Sequence, residues 1–184
     1  MRRAASEVLL LIDGYNAIGG WPKLIELRDR DGLQVARRHL IEAMFGYIAY
    51  RGFDAQLVFD AHYQNVPGSC ESVSPDLTVC YTNFGQTADS YIEQFCAQFK
   101  ASVAALRGDK RLLVATSDRD QQMMVRGYGA ECMSVQQLMG EIARTNQQIR
   151  DKQRSRKRSK GRFLFHSLDA EVQQRLADLR RGAY

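Results

Sequence analysis

Carboxylates stand at or near the ends of apolar runs throughout this chain, and that arrangement narrows the folds open to it. Leu9–Asp13 reads LLLID, Gln56–Asp60 reads QLVFD, and Leu112–Asp120 reads LLVATSDRD. A further run begins at Val79 and leads into TADSYIE, which ends at Glu93, while Glu131 inverts the order by preceding CMSV. Short Val/Ile/Leu-rich runs bounded by turn residues are the mark of buried strands in a parallel sheet. In open α/β sheets the working crevice lies beyond the carboxyl ends of the strands. Asp13, Asp60, Asp89 and Asp118 are therefore predicted to converge at one edge. Uncompensated carboxylates packed together repel, and a divalent cation is their natural neutraliser.

The periodicities predict strands at Val8–Ile12, Ala55–Phe59, Leu77–Tyr81, Arg111–Ala115 and Glu131–Ser134. Between them come a short helix at Trp21–Leu27 and longer ones at Leu33–Tyr50, Ala88–Leu106, Arg119–Arg126 and from Val135 to about Arg150. Ile41, Met44, Phe45 and Ile48 fall at i, i+3, i+4 and i+7, which predicts one buried stripe closed by Gly52 as a helix stop. Ile92, Phe95, Cys96, Phe99, Val103 and Leu106 share a face of the Ala88 helix. Residues 60–76, with Pro67, Gly68 and Pro75 and no clear period, read as a long loop. Strands alternating with helices imply a three-layer α/β/α domain over residues 1–149, its central sheet mostly parallel and of about five strands. Leu168, Val172, Leu176 and Leu179 predict an amphipathic helix within residues 163–184.

The basicity belongs to a segment, not to the fold. Residues 150–162 hold eight Arg/Lys and one Asp, a charge of +7 against +5 for the whole chain, so the remainder is slightly acidic. Arg150, Lys152, Arg154, Arg156, Lys157, Arg158, Lys160 and Arg162 make this stretch a candidate RNA-binding linker, because dense cations bind polyanions by counterion release. A solvated, flexible linker is the plainer alternative. A membrane surface suits it less, since the stretch lacks a large apolar face. No apolar stretch approaches the length of about 20 residues needed to span a bilayer, and no secretory signal is visible. Cys70, Cys80, Cys96 and Cys132 are scattered without a C-x-x-C pair. They read as reduced thiols packed as small hydrophobes, which implies a cytoplasmic or equivalent reducing compartment such as plastid stroma.

Each acid also has a plain explanation. Asp13 and Asp60 suit turns, Thr87 suits an N-cap with Asp89 in the first helical turn, and Ser117 suits a cap with Asp120 three residues on. Capping does not explain acids after nearly every parallel strand of one sheet. On a helix Asp89 and Glu93 share a face, so Glu93 is a candidate to reinforce the cluster or hold its water. Phosphate-loop, dinucleotide-turn and nucleophile-elbow motifs are all missing from the sequence, and His39, His62 and His166 stand isolated.

With D-G-Y-N at 13–16, F-D-A at 59–61, T-A-D-x-x-I at 87–92 and A-T-S-D-x-x-Q at 115–121, the chain resembles the YacP-type branch of the NYN domain family. These are PIN-like nucleases, and the likeness covers about residues 7–149. The resemblance implies a PIN-like fold, an acidic pocket holding Mg²⁺ or Mn²⁺, and hydrolytic endoribonuclease activity, with some relatives acting on messenger RNA at the ribosome. By position it makes Asp13, Asp60, Asp89 and Asp118 the catalytic set, with Asp13, Asp89 and Asp118 as metal ligands. Asn16 would position phosphate or water, Thr87 and Ser117 would orient ligands or touch phosphate, and Asp120 would stand behind them. Many PIN enzymes carry an acid on the helix after strand one; the candidate here, Glu42, is left outside the core site.

Three functions compete: a metal-dependent endoribonuclease, a DNA-acting 5′-nuclease of the wider superfamily, and a non-catalytic RNA- or ribosome-binding protein on the same fold. The second needs an added helical module for which the chain has no room. RNA, as mRNA or rRNA, is the expected partner of the first and third.

Overall fold

The computed structural model describes residues 7–60, 68–106 and 110–166, with residues 103–106 and 155–166 described as backbone only. The strands are β1 (Val8–Asp13), β2 (Asp54–Phe59), β3 (Ser69–Ser74), β4 (Leu77–Tyr81), β5 (Arg111–Ala115) and β6 (Glu131–Met133). The helices are α1 (Gly14–Gly20), α2 (Pro22–Asp31), α3 (Leu33–Arg51), α4 (Ala88–Leu106), α5 (Arg119–Gly127) and α6 (Val135–His166). One six-stranded sheet has the order β3-β4-β2-β1-β5-β6. Every pairing is parallel except β3 with β4. The chain leaves β1 in one direction through β2 and β4, then crosses back to β5 on the other side. That reversal opens a crevice at the carboxyl ends of β1 and β5.

Alternation within the strands sends side chains to both faces, and both faces are covered. Leu10, Ile12, Leu57 and Phe59 join a core with Leu40, Met44 and Ile48 of α3 and with Val135, Leu138 and Ile142 of α6. Leu11, Val58, Leu112 and Val114 face Ile92 and Cys96 of α4 and Val125 of α5. This double burial is why the strands read as unbroken apolar runs. Full burial of each such side chain is worth roughly 1.5–3 kcal/mol.

The structure corrects several expectations. The sheet has six strands because residues 69–74 form an exposed edge strand inside the stretch read as loop; SCESVS lies too far from the core to carry an apolar pattern. On α3 the buried positions are Ala36, Leu40, Met44, Tyr47 and Ile48, whereas Phe45 is 52% exposed. The α1 helix, with four glycines or alanines among seven residues, gave no periodic signal. Cys70 and Cys80 form a disulfide. They sit opposite one another in the β3–β4 ladder with Cα atoms 4.1 Å apart, a register that sequence spacing alone does not reveal. An inference of a reducing compartment from unpaired cysteines has no footing in these two residues; Cys96 and Cys132 are free.

The chain divides into two units, residues 1–143 and 144–184. The helix expected to stop near Arg150 runs to His166, so residues 150–162 are helical rather than an irregular linker. Arg, Lys and Gln are good helix formers, and charge density does not by itself break a helix. Arg150, Lys152 and Arg154 are exposed on it. The side chains of Arg156, Lys157, Arg158, Lys160 and Arg162, and the stripe from Leu168 to Leu179, lie outside the described residues, as does His62.

Gly14 begins α1 directly after β1, and a Cβ there would drive into the buried Phe59 ring. Gly14→Ala is expected to lower stability by about 1–3 kcal/mol, measured by denaturant unfolding; an unchanged midpoint would show that Phe59 can yield.

Candidate active site

Asp13, Asp60, Asp89 and Asp118 line a single pocket of about 260 Å³, together with Tyr15, Asn16, Thr87 and Ala88. The acids come from the end of β1, the residue after β2, the first turn of α4 and the residue before α5. Adjacent parallel strands end side by side, so residues 105 positions apart in sequence, Asp13 and Asp118, become neighbours.

Backbone capping holds two of these carboxylates in place. Asp13 is the N-cap of α1, and its Oδ1 accepts from the Asn16 N–H at 3.0 Å. Asp118 caps α5, its Oδ1 accepting from the Asp120 and Gln121 N–H groups at 2.8 and 3.0 Å. Both sets of cap contacts fall on Oδ1, and the Tyr15 backbone N–H also lowers the Asp13 carboxyl. Asn16 Oδ1 accepts from the Ser117 N–H at 2.8 Å, which fixes the amide so that its NH₂ is the group offered to a ligand. This contact ties the ends of β1 and β5 together.

Burial and mutual repulsion strain the cluster. Asp13 is 7% exposed. Desolvation, aided by the charges of Asp89 and Asp118, pushes its carboxyl up to about 6 against the lowering effect of the Asn16 N–H bond. Desolvation also raises Asp89, with Asp118 and Asp60 adding to the effect. Oxygen-only donors of this charge suit a hard, hydrated ion such as Mg²⁺ or Mn²⁺. Among the described residues no three Asp, Glu, His or Cys side chains are gathered into a metal-binding group. An ion in this pocket would be held by the acidic set only with water or phosphate completing its shell, rather than by an all-protein cage.

The remaining candidates separate. Thr87 lines the pocket and forms a reciprocal cap with Ser90, Thr87 Oγ1 accepting from the Ser90 N–H and Ser90 Oγ from the Thr87 N–H. Ser117 does not cap α5. Its Oγ donates to Gln136 and accepts from the Val135 N–H, anchoring the start of α6. Glu93 lies away from the pocket and accepts from the Tyr128 hydroxyl at 3.2 Å. Asp120 is exposed in the first turn of α5 and is not among the pocket residues. Glu42 is exposed beside Arg38 and His39.

Two contributors carry no assigned role in the sequence reading. Tyr15 forms part of the wall. Gln121, buried behind Asp89, donates from Nε2 to Asp89 Oδ1 at 2.5 Å and leaves its own buried Oε1 without a hydrogen-bond partner. The signal for Gln121 was its place one turn after Asp118 in A-T-S-D-x-x-Q.

The family model for the YacP-like NYN domain matches residues 10–181. The chain belongs to the YacP-like NYN domain family. It is 35% identical over 142 residues to the uncharacterized protein YacP of Bacillus subtilis, covering 77% of this chain and 78% of that one. It is also similar to two crystal structures of Rae1 (YacP) from Bacillus subtilis. One matches with a TM-score of 0.64 and 30% identity over 95% of each chain. The other, a W164L mutant, matches with a TM-score of 0.63 and 29% identity over 93% of this chain and 98% of that one. YacP-like NYN membership implies a nuclease-like, RNA-related function. No described helix is long and apolar enough to cross a membrane.

In this YacP-like NYN domain a raised Asp13 carboxyl means that the folded chain holds its proton more tightly than the unfolded chain does. Without divalent cation, stability falls as pH rises from 3.8 towards about 6 and stays lower above that. Asp13→Asn keeps an acceptor for the Asn16 N–H and removes the buried charge. It is expected to raise the melting temperature in EDTA at pH 7.5, by up to about 3 kcal/mol of stability, with the difference vanishing near pH 4. Equal melting curves at both pH values would refute the strain.

Proposed function

We propose that this chain is a metal-dependent endoribonuclease that hydrolyses RNA phosphodiester bonds. The observation that carries the reading is the convergence of Asp13, Asp60, Asp89 and Asp118 on one pocket from four segments of the chain. Asp13, Asp89 and Asp118 would hold Mg²⁺ or Mn²⁺, which when bound supplies Lewis acidity and an activated water. Gln121 keeps the Asp89 carboxylate turned toward the pocket through its amide donor. The Asn16 amide, locked by Ser117, presents an N–H to a phosphate oxygen. Asp60 stands on the Tyr15 side of the pocket, where a carboxylate oxygen can take a proton from the attacking water.

Arg150, Lys152 and Arg154, exposed on α6, support RNA as the polyanion. We include messenger RNA on the ribosome among the substrates proposed. One observation favours a second reading, a non-catalytic RNA- or ribosome-binding protein: no preassembled three-ligand group is present among the described residues.

Incubation of purified protein with RNA, with and without Mn²⁺ and ribosomes, separates the two. Asp13→Asn and Asp118→Asn are each expected to retain RNA binding while losing more than about 100-fold in Mn²⁺-dependent cleavage, since metal stabilisation is worth several kcal/mol. Cleavage that survives both changes, or that ignores the metal, sinks the endonuclease proposal. Replacing Arg150, Lys152 and Arg154 by Gln should flatten the log–log salt dependence of single-stranded RNA binding by up to about 2. An unaltered slope would remove α6 from the RNA interface.

A further inference from the structure

Arg37 of α3 differs from several other described arginines in its partners. Arg28, Arg30, Arg38, Arg51 and Arg111 each have a carboxylate within 4.0 Å. Arg37 has none among the described residues, and its Nε is buried without a hydrogen-bond partner. Its guanidinium carbon lies 5.5 Å from the Tyr15 ring centroid, 5.8 Å from Phe59 and 5.9 Å from Tyr81. The rings also brace one another: Tyr15 meets Phe59 edge-on at 5.2 Å, and Phe59 stacks on Tyr81 at 5.7 Å. A guanidinium tolerates such a setting because it is weakly hydrated and its faces suit aromatic rings. Three rings therefore hold a cation in place without neutralising it.

The location gives the cation a use. Tyr15 is shared, since it packs against Arg37 and also lines the acidic pocket next to Asp60. No Arg or Lys is among the described residues lining that pocket, whose four carboxylates repel the nucleic-acid backbone they are proposed to cut. A strand entering the pocket needs a positive contact beside it, and Arg37 packs over the Tyr15 ring that lines it.

We propose that Arg37, framed by Tyr15, Phe59 and Tyr81, is a phosphate subsite on the flank of the acidic pocket, and that it takes a phosphodiester neighbouring the one in the pocket. The proposal rests on the nucleic-acid reading of that pocket, not on its catalytic competence. A guanidinium is suited to this ligand, because its planar fork of N–H donors matches two phosphate oxygens while its faces remain against the rings.

The test is binding of a fluorescein-labelled single-stranded RNA oligomer in EDTA, where no metal-dependent cleavage occurs, over a salt series. Removal of the charge in Arg37→Gln is expected to weaken binding and to lower the log–log salt slope by about 0.7. Arg37→Lys is expected to restore the slope, because the charge returns, but to leave affinity below wild type, because the stacked fork does not. A purely structural Arg37 would change the melting temperature and leave the slope unaltered in a folded Arg37→Gln protein; that result overturns the subsite. Should Arg37→Gln fail to fold, Arg37→Lys decides: a wild-type dissociation constant overturns the proposal, and a raised one with an unchanged slope supports it. Cleavage of the same RNA by the wild-type protein in Mn²⁺ is scored separately. Binding with the expected slope change but no cleavage removes the nuclease reading and keeps the subsite, whereas cleavage without the slope change does the reverse.

Discussion

Charge crowding at the ends of parallel strands is the constraint around which this molecule is built. Neighbouring parallel strands end together, and here they end in acids. A cluster of carboxylates in a partly desolvated pocket is unfavourable, yet it is held. The means are ordinary backbone groups: the N–H of Asn16 on Asp13, and those of Asp120 and Gln121 on Asp118. Helix N-termini carry partial positive charge, so the two caps offset part of the repulsion. Asn16, bonded to the Ser117 N–H, then keeps both caps in register.

Capping and function are thus not rival explanations of these aspartates. Asp13 and Asp118 cap helices, and both face the pocket. An acid that served only as a cap would be free to sit in solvent, whereas Asp13 is nearly inaccessible and its carboxyl is pushed upward by burial. The fold accepts that cost at a position where serine or asparagine would cap as well.

Much of the architecture was legible in the sequence, for identifiable reasons. The Leu77–Tyr81 and Arg111–Ala115 strands match their predicted limits because both are buried runs between turn residues. The convergence of the four aspartates followed from the rule for strand ends and needed no distance information. What could not be read depends on register and three-dimensional neighbours. The edge strand β3 has too little burial to leave a pattern, so the Cys70–Cys80 pairing stayed invisible. Phe45 fits an apolar period on α3 but faces outward, since a helix rotates 100° per residue and the fully buried positions are Ala36, Leu40, Met44, Tyr47 and Ile48, with Ile41 partly buried beside them. Glu93 shares a helix with Asp89, yet Tyr128 on the neighbouring segment captures it. Gln121 lies in a polar stretch, SDRDQQ, that reads as surface; only the fold shows that it is buried and that its amide serves an aspartate.

The extension of α6 through the basic segment has a mechanical consequence. Arg150, Arg154, Arg158 and Arg162 recur every fourth residue, as do Lys152, Arg156 and Lys160. On a helix, residues four apart are neighbours, so the exposed Arg150 and Arg154 place like charges one turn apart, which loosens the coil by about 0.2–0.5 kcal/mol. Helix and charge thus oppose one another at this turn, and an anion laid against it would relieve the repulsion and stiffen the helix together.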